Sequence, residues 1–310
     1  MFVMRLIVLD HECMELQQLR YVVAVAETKS FTRAAERCLV VQSALSHQIA
    51  RLERELGGRL FDRTSRRVRL TAAGEAFLPA ARRCLEAAER AVADVAAALG
   101  EVRGRLTLGV IPTVAAVDLP AALKEFHTRY PQVRVQLRLG SSPNLVEQVK
   151  QGDLDLAFLG LPATAEPRGV RVHELTRDRH VAVVAPDHPL AGEAEVGLRR
   201  LASEVFVDFP AGSAGRTQSD LAFEAAGTDR EVALEVGAVD IMVRLVQQGL
   251  GVAMLPSEFV PQLTGVATVP VSDAPQRVEY LVWSRSDPRP AATAFLRLLD
   301  VPVDTPPARD

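Results

Sequence analysis

The sequence lacks any apolar run long enough to cross a membrane. No stretch approaches the ~18 consecutive apolar residues of a membrane-spanning helix. The apolar start is interrupted by Arg5 and followed by Asp10-His-Glu12, with no small-residue cleavage site of the kind that ends a signal peptide. We therefore expect a cytoplasmic protein that does not associate with membranes.

Cysteine and lysine are scarce. The three cysteines, Cys13, Cys38 and Cys84, are odd in number and far apart, which is typical of a reducing compartment and provides neither a disulfide framework nor a metal-ligand pair. With only three lysines in the chain, an enzyme that holds pyridoxal phosphate on a buried lysine is disfavoured.

Catalytic motifs are missing as well. There is no phosphate-binding G-x-x-x-x-G-K-[ST] loop, and in Gly212-Ser-Ala-Gly215 the serine directly follows the glycine, unlike the G-x-S-x-G of hydrolases. His173-Glu-Leu-Thr-Arg177 lacks the second histidine of a zinc-binding H-E-x-x-H. We predict no cofactor, no metal site and no enzymatic activity.

Charge is unevenly distributed along the chain. Residues 14–71 carry eleven Arg or Lys against six acids, a local charge of +5, so the rest carries −8 of the total of −3. A small basic module on an acidic body fits an anionic partner such as nucleic acid, although many protein surfaces are unevenly charged.

The basic module has the pattern of a helix-turn-helix. Apolar spacings of three and four predict helices over 16–28 and 31–37, the second capped by Ser30, and a third helix capped by Ser43. The inward face of the third helix is predicted to be Leu45, Ile49, Leu52 and Leu56, and Gly57-Gly58 ends it. Its outward face carries polar side chains that can contact base edges and phosphates.

A basic hairpin and a long helix follow. Residues 59–71 predict two strands with Arg63, Arg66 and Arg67 near the tip, either a wing that grips phosphates or a solvated hairpin. Thr71 caps a helix that runs to about Leu99. Its apolar residues repeat every three and four positions, which predicts pairing with a partner helix, the alternative being packing on its own domain. They are Leu78, Ala81, Leu85, Ala88, Val92, Val95 and Leu99.

From residue 105 onward strands and helices alternate. This order favours an α/β fold with mostly parallel sheets and a ligand pocket beyond the carboxyl ends of the strands. The predicted strands cover 106–111, 133–139, 154–159, 180–184, 205–207, 232–236, 252–255 and 278–283. The predicted helices cover 115–129, 144–151, 216–226, 239–248 and 291–299.

Several local motifs resemble one family. They are Ser30-Phe-Thr-Arg-Ala-Ala35, Gln42-Ser-Ala-Leu-Ser46, Gln48-Ile49, Leu52-Glu-Arg-Glu-Leu-Gly57, Leu60-Phe-Asp-Arg63, Leu70-Thr-Ala-Ala-Gly74, Gly152-Asp-Leu-Asp-Leu156 and Gly249-Leu-Gly-Val-Ala-Met-Leu-Pro256. In this order they resemble the LysR-type family of bacterial transcriptional regulators, and the resemblance covers about Met14 to Asp300.

The resemblance implies the domain order. We expect a disordered extension or upstream start over 1–13, a winged helix-turn-helix over 14–71, a dimerising linker helix over 72–100 and an α/β effector-binding domain of periplasmic-binding-protein type over 105–300. Its two subdomains would be 105–163 with 265–300, and 164–264. The family implies a homotetramer built from dimers that binds double-stranded promoter DNA, responds to a small effector, here expected to be anionic, and acts on RNA polymerase.

The resemblance also implies the site residues. DNA contacts would come from Gln42, Ser43, Ser46, His47, Gln48 and Arg51, and from the wing residues Arg63, Arg66 and Arg67. Ser43 stands where the family commonly has proline and His47 where arginine is frequent, and a neutral imidazole lacks arginine's bidentate reach to guanine. The effector would be lined by Thr113, Ser141, Ser142, Phe209, Pro210 and Gly237.

Two other functions remain open at this stage. The α/β body also resembles a periplasmic solute-binding protein, although the basic module and the missing signal peptide argue against that reading. An enzyme is the other alternative, with no assembled acid, base and nucleophile to support it.

The role of Arg216 also has two alternatives. It is predicted to open a helix after a glycine turn, where it would either supply charge to the pocket or lie on the surface.

Overall fold

The computed structural model describes residues 14–64 and 67–303, which form two compact units divided between Val95 and Ala96. The extension predicted for residues 1–13 lies outside the described residues. No helix in the described part of the chain is both long enough and apolar enough to span a membrane.

The first unit is a helix-turn-helix with a hairpin and a long helix, as predicted. Its elements are α1 (Leu16–Thr28), α2 (Phe31–Arg37), α3 (Gln42–Glu55), β1 (Phe61–Thr64), β2 (Arg67–Leu70) and most of α4 (Ala72–Ala98), whose last three residues fall in the second unit. Two of the three predicted caps are confirmed: the Ser30 hydroxyl accepts from the Arg33 N–H at 3.3 Å and the Thr71 hydroxyl from the Gly74 N–H at 3.1 Å. Each cap satisfies a backbone donor that the helix itself leaves free.

The start of α3 differs from the sequence expectation. Val41, and not Ser43, is the N-cap residue, so Ser43 lies exposed within the first turn. Leu56, predicted to face inward, is 45% exposed because it follows the last helical residue. The turn after α2 therefore starts the helix earlier than the capping preference of serine suggested.

The second unit alternates strands and helices. Its strands are β3 (Gly104–Val110), β4 (Val133–Leu139), β5 (Leu156–Pro162), β6 (Arg171–Val184), β7 (Val205–Asp208), β8 (Glu231–Glu235), β9 (Ala253–Pro256), β10 (Ala267–Pro270) and β11 (Gln276–Trp283). Its helices are α5 (Leu119–Arg129), α6 (Ser142–Gln151), α7 (Leu198–Leu201), α8 (Ala214–Ala225), α9 (Val239–Gln247) and α10 (Pro290–Leu298), with a 3-10 helix at Ser257–Gln262.

The expectation of mostly parallel sheets is wrong. In this unit β3 runs parallel to β4 and β5, and β7 parallel to β8, but β11 is antiparallel to β5 and β6, and β6 is antiparallel to β9 and β10. The reason is that the chain leaves the first group of strands along β6 and returns along β11, and each crossing strand runs against its neighbours.

Hydrophobic clusters divide the described part of this unit into two lobes. The first lobe has a core from residues 106–170 and 278–301, and the cores of the second lobe come from residues 182–271. Strand β6 serves both, because Arg171–Arg179 pairs with β11 and His180–Val184 pairs with β9 and β10. The crossing strands β6 and β11 therefore hold the two lobes together.

A cluster of buried polar groups lies on these crossing strands. The Arg277 guanidinium contacts Glu279 at 2.5 Å and Asp178 at 3.5 Å, and it donates to the hydroxyl and carbonyl oxygens of Thr113 at 3.0 and 3.1 Å. The Glu279 carboxylate in turn accepts from the backbone N–H of Ala115 at 3.1 Å. A buried charge is tolerated only when paired and hydrogen-bonded in this way.

Burial shifts the titration of this cluster. It raises the pKa of Asp178 and of Glu279 above their ordinary values, opposed in each case by the charge of Arg277. His180, fully enclosed beside them, has its pKa lowered from 6.5 to about 4 by burial and by the charge of Arg277. His180 is thus a neutral imidazole at pH 7, its Nδ1 3.4 Å from the Pro275 carbonyl.

His180 should make unfolding pH-dependent. Because its folded-state pKa of about 4 lies below the ordinary 6.5, the unfolded chain takes up this proton first as pH falls. The stability contributed by neutral His180 is complete above pH 6.5 and is lost towards pH 4, on the order of 3 kcal/mol in total. Denaturant unfolding from pH 7 to 4 should therefore be less pH-dependent for His180→Gln than for the unsubstituted chain.

The comparison isolates this one group. Asp178 and Glu279 affect the pH dependence of the free energy of unfolding in the opposite direction, because burial raises their pKa. Both residues are present in the unsubstituted chain and in His180→Gln, so the difference between the two proteins reports on His180. His127→Gln, an exposed histidine on α5, controls for the loss of an imidazole. Parallel pH profiles for His180→Gln and the unsubstituted chain would contradict the account.

Candidate functional site

Helix α3 presents one face to the core and the other to solvent. Leu45, Ile49 and Leu52 are fully buried in the cluster shared with α1 and α2, because apolar residues three and four apart lie on one side of a helix. The α3 residues predicted to contact DNA lie away from this core. They are the exposed Gln42, Ser43 and His47 and the half-buried Ser46, Gln48 and Arg51.

Two of these side chains are already held by neighbours. Gln48 Oε1 accepts from the amide of buried Gln18 on α1 at 3.4 Å, which orients the Gln48 amide nitrogen. Arg51 Nε contacts Glu55 at 3.0 Å, and its terminal nitrogen is 3.9 Å from Glu15. The side chains of Gln48 and Arg51 are therefore both oriented by contacts within this unit.

The predicted wing forms a two-stranded antiparallel hairpin. Phe61 lies opposite Leu70 and Thr64 opposite Arg67, so the backbone of Arg63 and Arg67 lies at the end of the ladder where the chain passes from β1 to β2. Arg66 falls between the two strands in sequence and lies outside the described residues. The hairpin is anchored by Phe61, which is buried beside Phe31 at a ring distance of 5.8 Å.

Helix α4 carries unpaired apolar residues along its predicted seam. Ala81 is buried, but Val92, Val95 and Leu99 are 59%, 62% and 78% exposed. An exposed apolar row at heptad spacing is typical of a helix that pairs with another helix.

A cleft between the two lobes of the second unit brings together all six predicted effector residues. It encloses about 1080 Å³, comparable to cavities that hold small molecules. The first lobe contributes Thr113, Ser141 and Ser142, and the second contributes Phe209, Pro210 and Gly237. Residues distant in sequence meet here because the β6 and β11 crossings place the lobes face to face.

The six residues differ in what they can offer to a ligand. The buried Ser142 hydroxyl donates to the Gly160 carbonyl and accepts from the Gly160 N–H, both at 3.1 Å, so it holds α6 against β5. The Thr113 hydroxyl accepts from Arg277 and keeps its own hydrogen to donate. Ser141 is the half-buried N-cap residue of α6 but makes no cap bond to the helix.

Sequence reasoning missed three buried cleft residues. They are His180, Gln218 and Arg277. Gln218 Nε2 donates to the Gly160 carbonyl at 3.4 Å, a contact that links α8 of the second lobe to β5 of the first. The sequence does give an indication for Arg277, because Arg277 and Glu279 are charged residues on the same face of an otherwise apolar strand. It gives none for Gln218, because a polar residue is ordinary on an amphipathic helix.

The charge of Arg216 is directed away from the cleft. Its guanidinium contacts Asp220 at 2.9 Å and Glu235 at 3.0 Å and donates to the Phe209 carbonyl at 3.3 Å. Arg216 does not line the cleft. It fixes the loop that presents Phe209, while the ring of Phe209 forms part of the cleft wall.

The charged residues that line the cleft are also paired. Arg277 is neutralised by Glu279 and Asp178, and Arg244 contacts Asp240 at 3.0 Å. Among residues 14–64 and 67–303 no three His, Cys, Asp or Glu side chains converge as metal ligands do. Hydroxyl groups, apolar walls and paired charges suit binding of a small molecule.

Family models match both units. Residues 16–75 match the model described as a bacterial regulatory helix-turn-helix protein of the lysR family, and residues 99–301 match the LysR substrate binding domain. The two matches cover most of the chain, in the order expected from its sequence motifs.

Curated relatives and solved structures agree with the models. The chain is 35% identical to the transcriptional dual regulator GltC of Bacillus subtilis (83% of this chain, 86% of GltC) and 38% identical to the regulator ShiR of Corynebacterium glutamicum (78% and 82%). Full-length CbnR in complex with its target DNA has a TM-score of 0.71 at 26% identity, covering 93% of this chain and 99% of that chain. A full-length OxyR variant of Pseudomonas aeruginosa has a TM-score of 0.66, also at 26% identity, covering 97% and 99%. The chain belongs to the LysR family of bacterial DNA-binding transcriptional regulators.

Proposed function

We propose that this regulator binds promoter DNA through α3 and the β1–β2 wing, and that a small anion in the cleft between the lobes changes that binding. The observation that carries the proposal is the cleft itself, in which all six residues implied by the family resemblance line one cavity. The division of labour follows the chain: residues 14–71 bind DNA, 72–100 link the subunits, and 105–300 bind the effector. The effector domain comprises subdomains 105–163 with 265–300, and 164–264.

The DNA contacts divide into two classes. Gln42, Ser43, Ser46, His47 and Gln48 read base edges, because the N-terminal part of the second helix of a helix-turn-helix enters the major groove. Arg51 and the wing arginines Arg63, Arg66 and Arg67 contact phosphates, which fix the register without reading sequence. The local charge of +5 supports this assignment.

An anionic effector is supported by the donors in the cleft. Thr113 keeps an O–H to donate, and Ser141 stands at the N-terminus of α6, where the helix dipole favours negative charge. Phe209, Pro210 and Gly237 form an apolar wall that would pack on the carbon skeleton. Because no unpaired cation of the described residues faces the cleft, hydrogen bonds would hold the anion.

Self-association is the third part of the proposal. Two copies pair along α4 through Val92, Val95 and Leu99, and two such dimers form the tetramer that the family resemblance implies. A regulator of this type works in the cytoplasm, where promoter DNA and RNA polymerase are found, and RNA polymerase is its proposed further partner.

Two substitutions separate the classes of DNA contact. Arg66→Ala should weaken binding to every duplex by a similar factor and reduce the salt slope by about one unit, since one phosphate contact is lost. Gln48→Ala should instead cost about 1–3 kcal/mol on the preferred sequence only. Fluorescence anisotropy across a salt series measures both, on the intergenic duplex beside the gene and on a scrambled duplex.

Arg134→Ala, which removes an exposed arginine from the second unit, is the matched control and should change neither quantity. Equal losses on both duplexes for Gln48→Ala and Arg66→Ala would refute the division of roles. Weak binding without sequence preference in the unsubstituted chain would refute the intergenic operator.

A charged substitution tests the proposed dimer interface on α4, here called the α4 seam (Val92, Val95 and Leu99). Val95→Glu should raise the dimer dissociation constant at least tenfold, since a buried unpaired carboxylate costs well over about 1.4 kcal/mol. Ala87→Glu places the same charge on an exposed position outside the seam and should leave the dimer intact. Analytical ultracentrifugation measures both, and equal dissociation of the two variants would exclude the seam as the interface.

A further inference from the structure

Two apolar side chains are exposed at the turn that leads into α3. Leu39 is 92% exposed and Val41 69% exposed, and both precede the exposed Gln42 and Ser43. Val41 is the N-cap residue of α3 itself. This apolar pair therefore directly precedes, in the sequence, the α3 residues that contact DNA in the proposed function.

Neither residue is the choice that folding favours. Leu39 has a φ of +57°, in the left-handed region that glycine and asparagine adopt far more readily. Val41 supplies no side-chain cap to α3, whereas serine, threonine, aspartate or asparagine at this position would satisfy a free backbone N–H. Exposure, backbone conformation and the missing cap all disfavour this pair in the isolated protein, which points to a binding role.

The chemistry of the major groove identifies the group that such a pair fits. Every base edge there presents hydrogen-bond donors or acceptors, and the one apolar group is the C5-methyl of thymine. An aliphatic side chain placed against a donor or acceptor would remove its water without replacing the hydrogen bond. A valine at the start of α3 is matched by a pyrimidine C5-methyl group.

We propose that Val41, flanked by Leu39, packs on the C5-methyl group of a thymine in each half-site and thereby favours an A·T pair at that position of the operator. The inference rests on the proposed binding of DNA through α3. It adds a specificity-determining residue that is apolar and lies before the helix, outside the polar set from Gln42 to Arg51.

Uracil substitution tests the contact, because deoxyuridine differs from thymidine only in the missing methyl group. Binding sites are first selected with the full-length chain from a random-sequence duplex pool. The selected duplex is then remade with each thymine replaced in turn by deoxyuridine, and binding is measured by anisotropy. One replacement per half-site should weaken binding about fourfold, which corresponds to ~0.8 kcal/mol for one buried methyl, while the remaining replacements have no effect.

Variants assign the effect to Val41. Val41→Ala should bind the thymine and uracil duplexes equally, whereas Val205→Ala, an exposed valine of the second unit, should keep the fourfold preference. Val41→Ser should lose the preference while raising the melting temperature, because serine caps α3. That combination separates loss of a methyl contact from damage to the fold.

The possible outcomes distinguish failure of the thymine contact from failure of the proposed DNA binding through α3. No uracil-sensitive position, or the same sensitive position in Val41→Ala, overturns the thymine contact while leaving binding through α3 intact. Failure to enrich any sequence from the pool overturns the proposed function instead. A second pool methylated at CpG cytosines tests the other source of the same methyl group, and enrichment of 5-methylcytosine in place of thymine overturns the assignment to thymine.

Discussion

The buried guanidinium of Arg277 is the interaction on which the second unit depends. It lies on one crossing strand, contacts Asp178 on the other and Glu279 on its own, and donates to Thr113 after the first strand. Removing one member of such a cluster leaves an uncompensated buried charge. Arg277 therefore fixes the register of β6 against β11 and, through Thr113, one wall of the cleft.

The cleft is assembled around the same cluster. Gly160 lies opposite Glu279 in the β5–β11 ladder, and a Cβ there would come within 3.3 Å of Arg277 Nε. Ile111 and the guanidinium occupy the space that a side chain would fill, and the Gly160 carbonyl accepts from both Ser142 and Gln218. Helices of both lobes thus meet at one residue, so a ligand that shifts the lobes must act on these contacts.

Sequence patterns predicted what is local in this chain. The apolar spacing of α1–α3, the Ser30 and Thr71 caps and the hairpin follow from neighbours a few residues apart, and the family motifs added the six residues that line the cleft. The start of α3 was predicted wrongly. The preceding turn places Val41 at the N-cap position, and this outweighs the capping preference of Ser43.

What the sequence could not reveal is long-range. The first half of β6, from Arg171 to Arg179, is polar and half-exposed, so it carries no strand signal until β11 pairs with it. The antiparallel crossings were missed for the same reason. Arg277 and Thr113 are 164 residues apart, and no periodicity connects them. The burial of Gln218 could not be predicted either, because only the folded chain distinguishes it from a surface glutamine.

In the proposed function an anion in the cleft controls the binding of DNA. The most direct measurement is the affinity for the selected duplex across a panel of small mono- and dicarboxylates, for the unsubstituted chain and for Ser141→Ala, which removes a hydroxyl that makes no cap bond in the fold. We expect at least one carboxylate to change the affinity of the unsubstituted chain and to need a higher concentration with the variant. A carboxylate that acts on both proteins at the same concentration, or a panel without effect on either, would contradict the account.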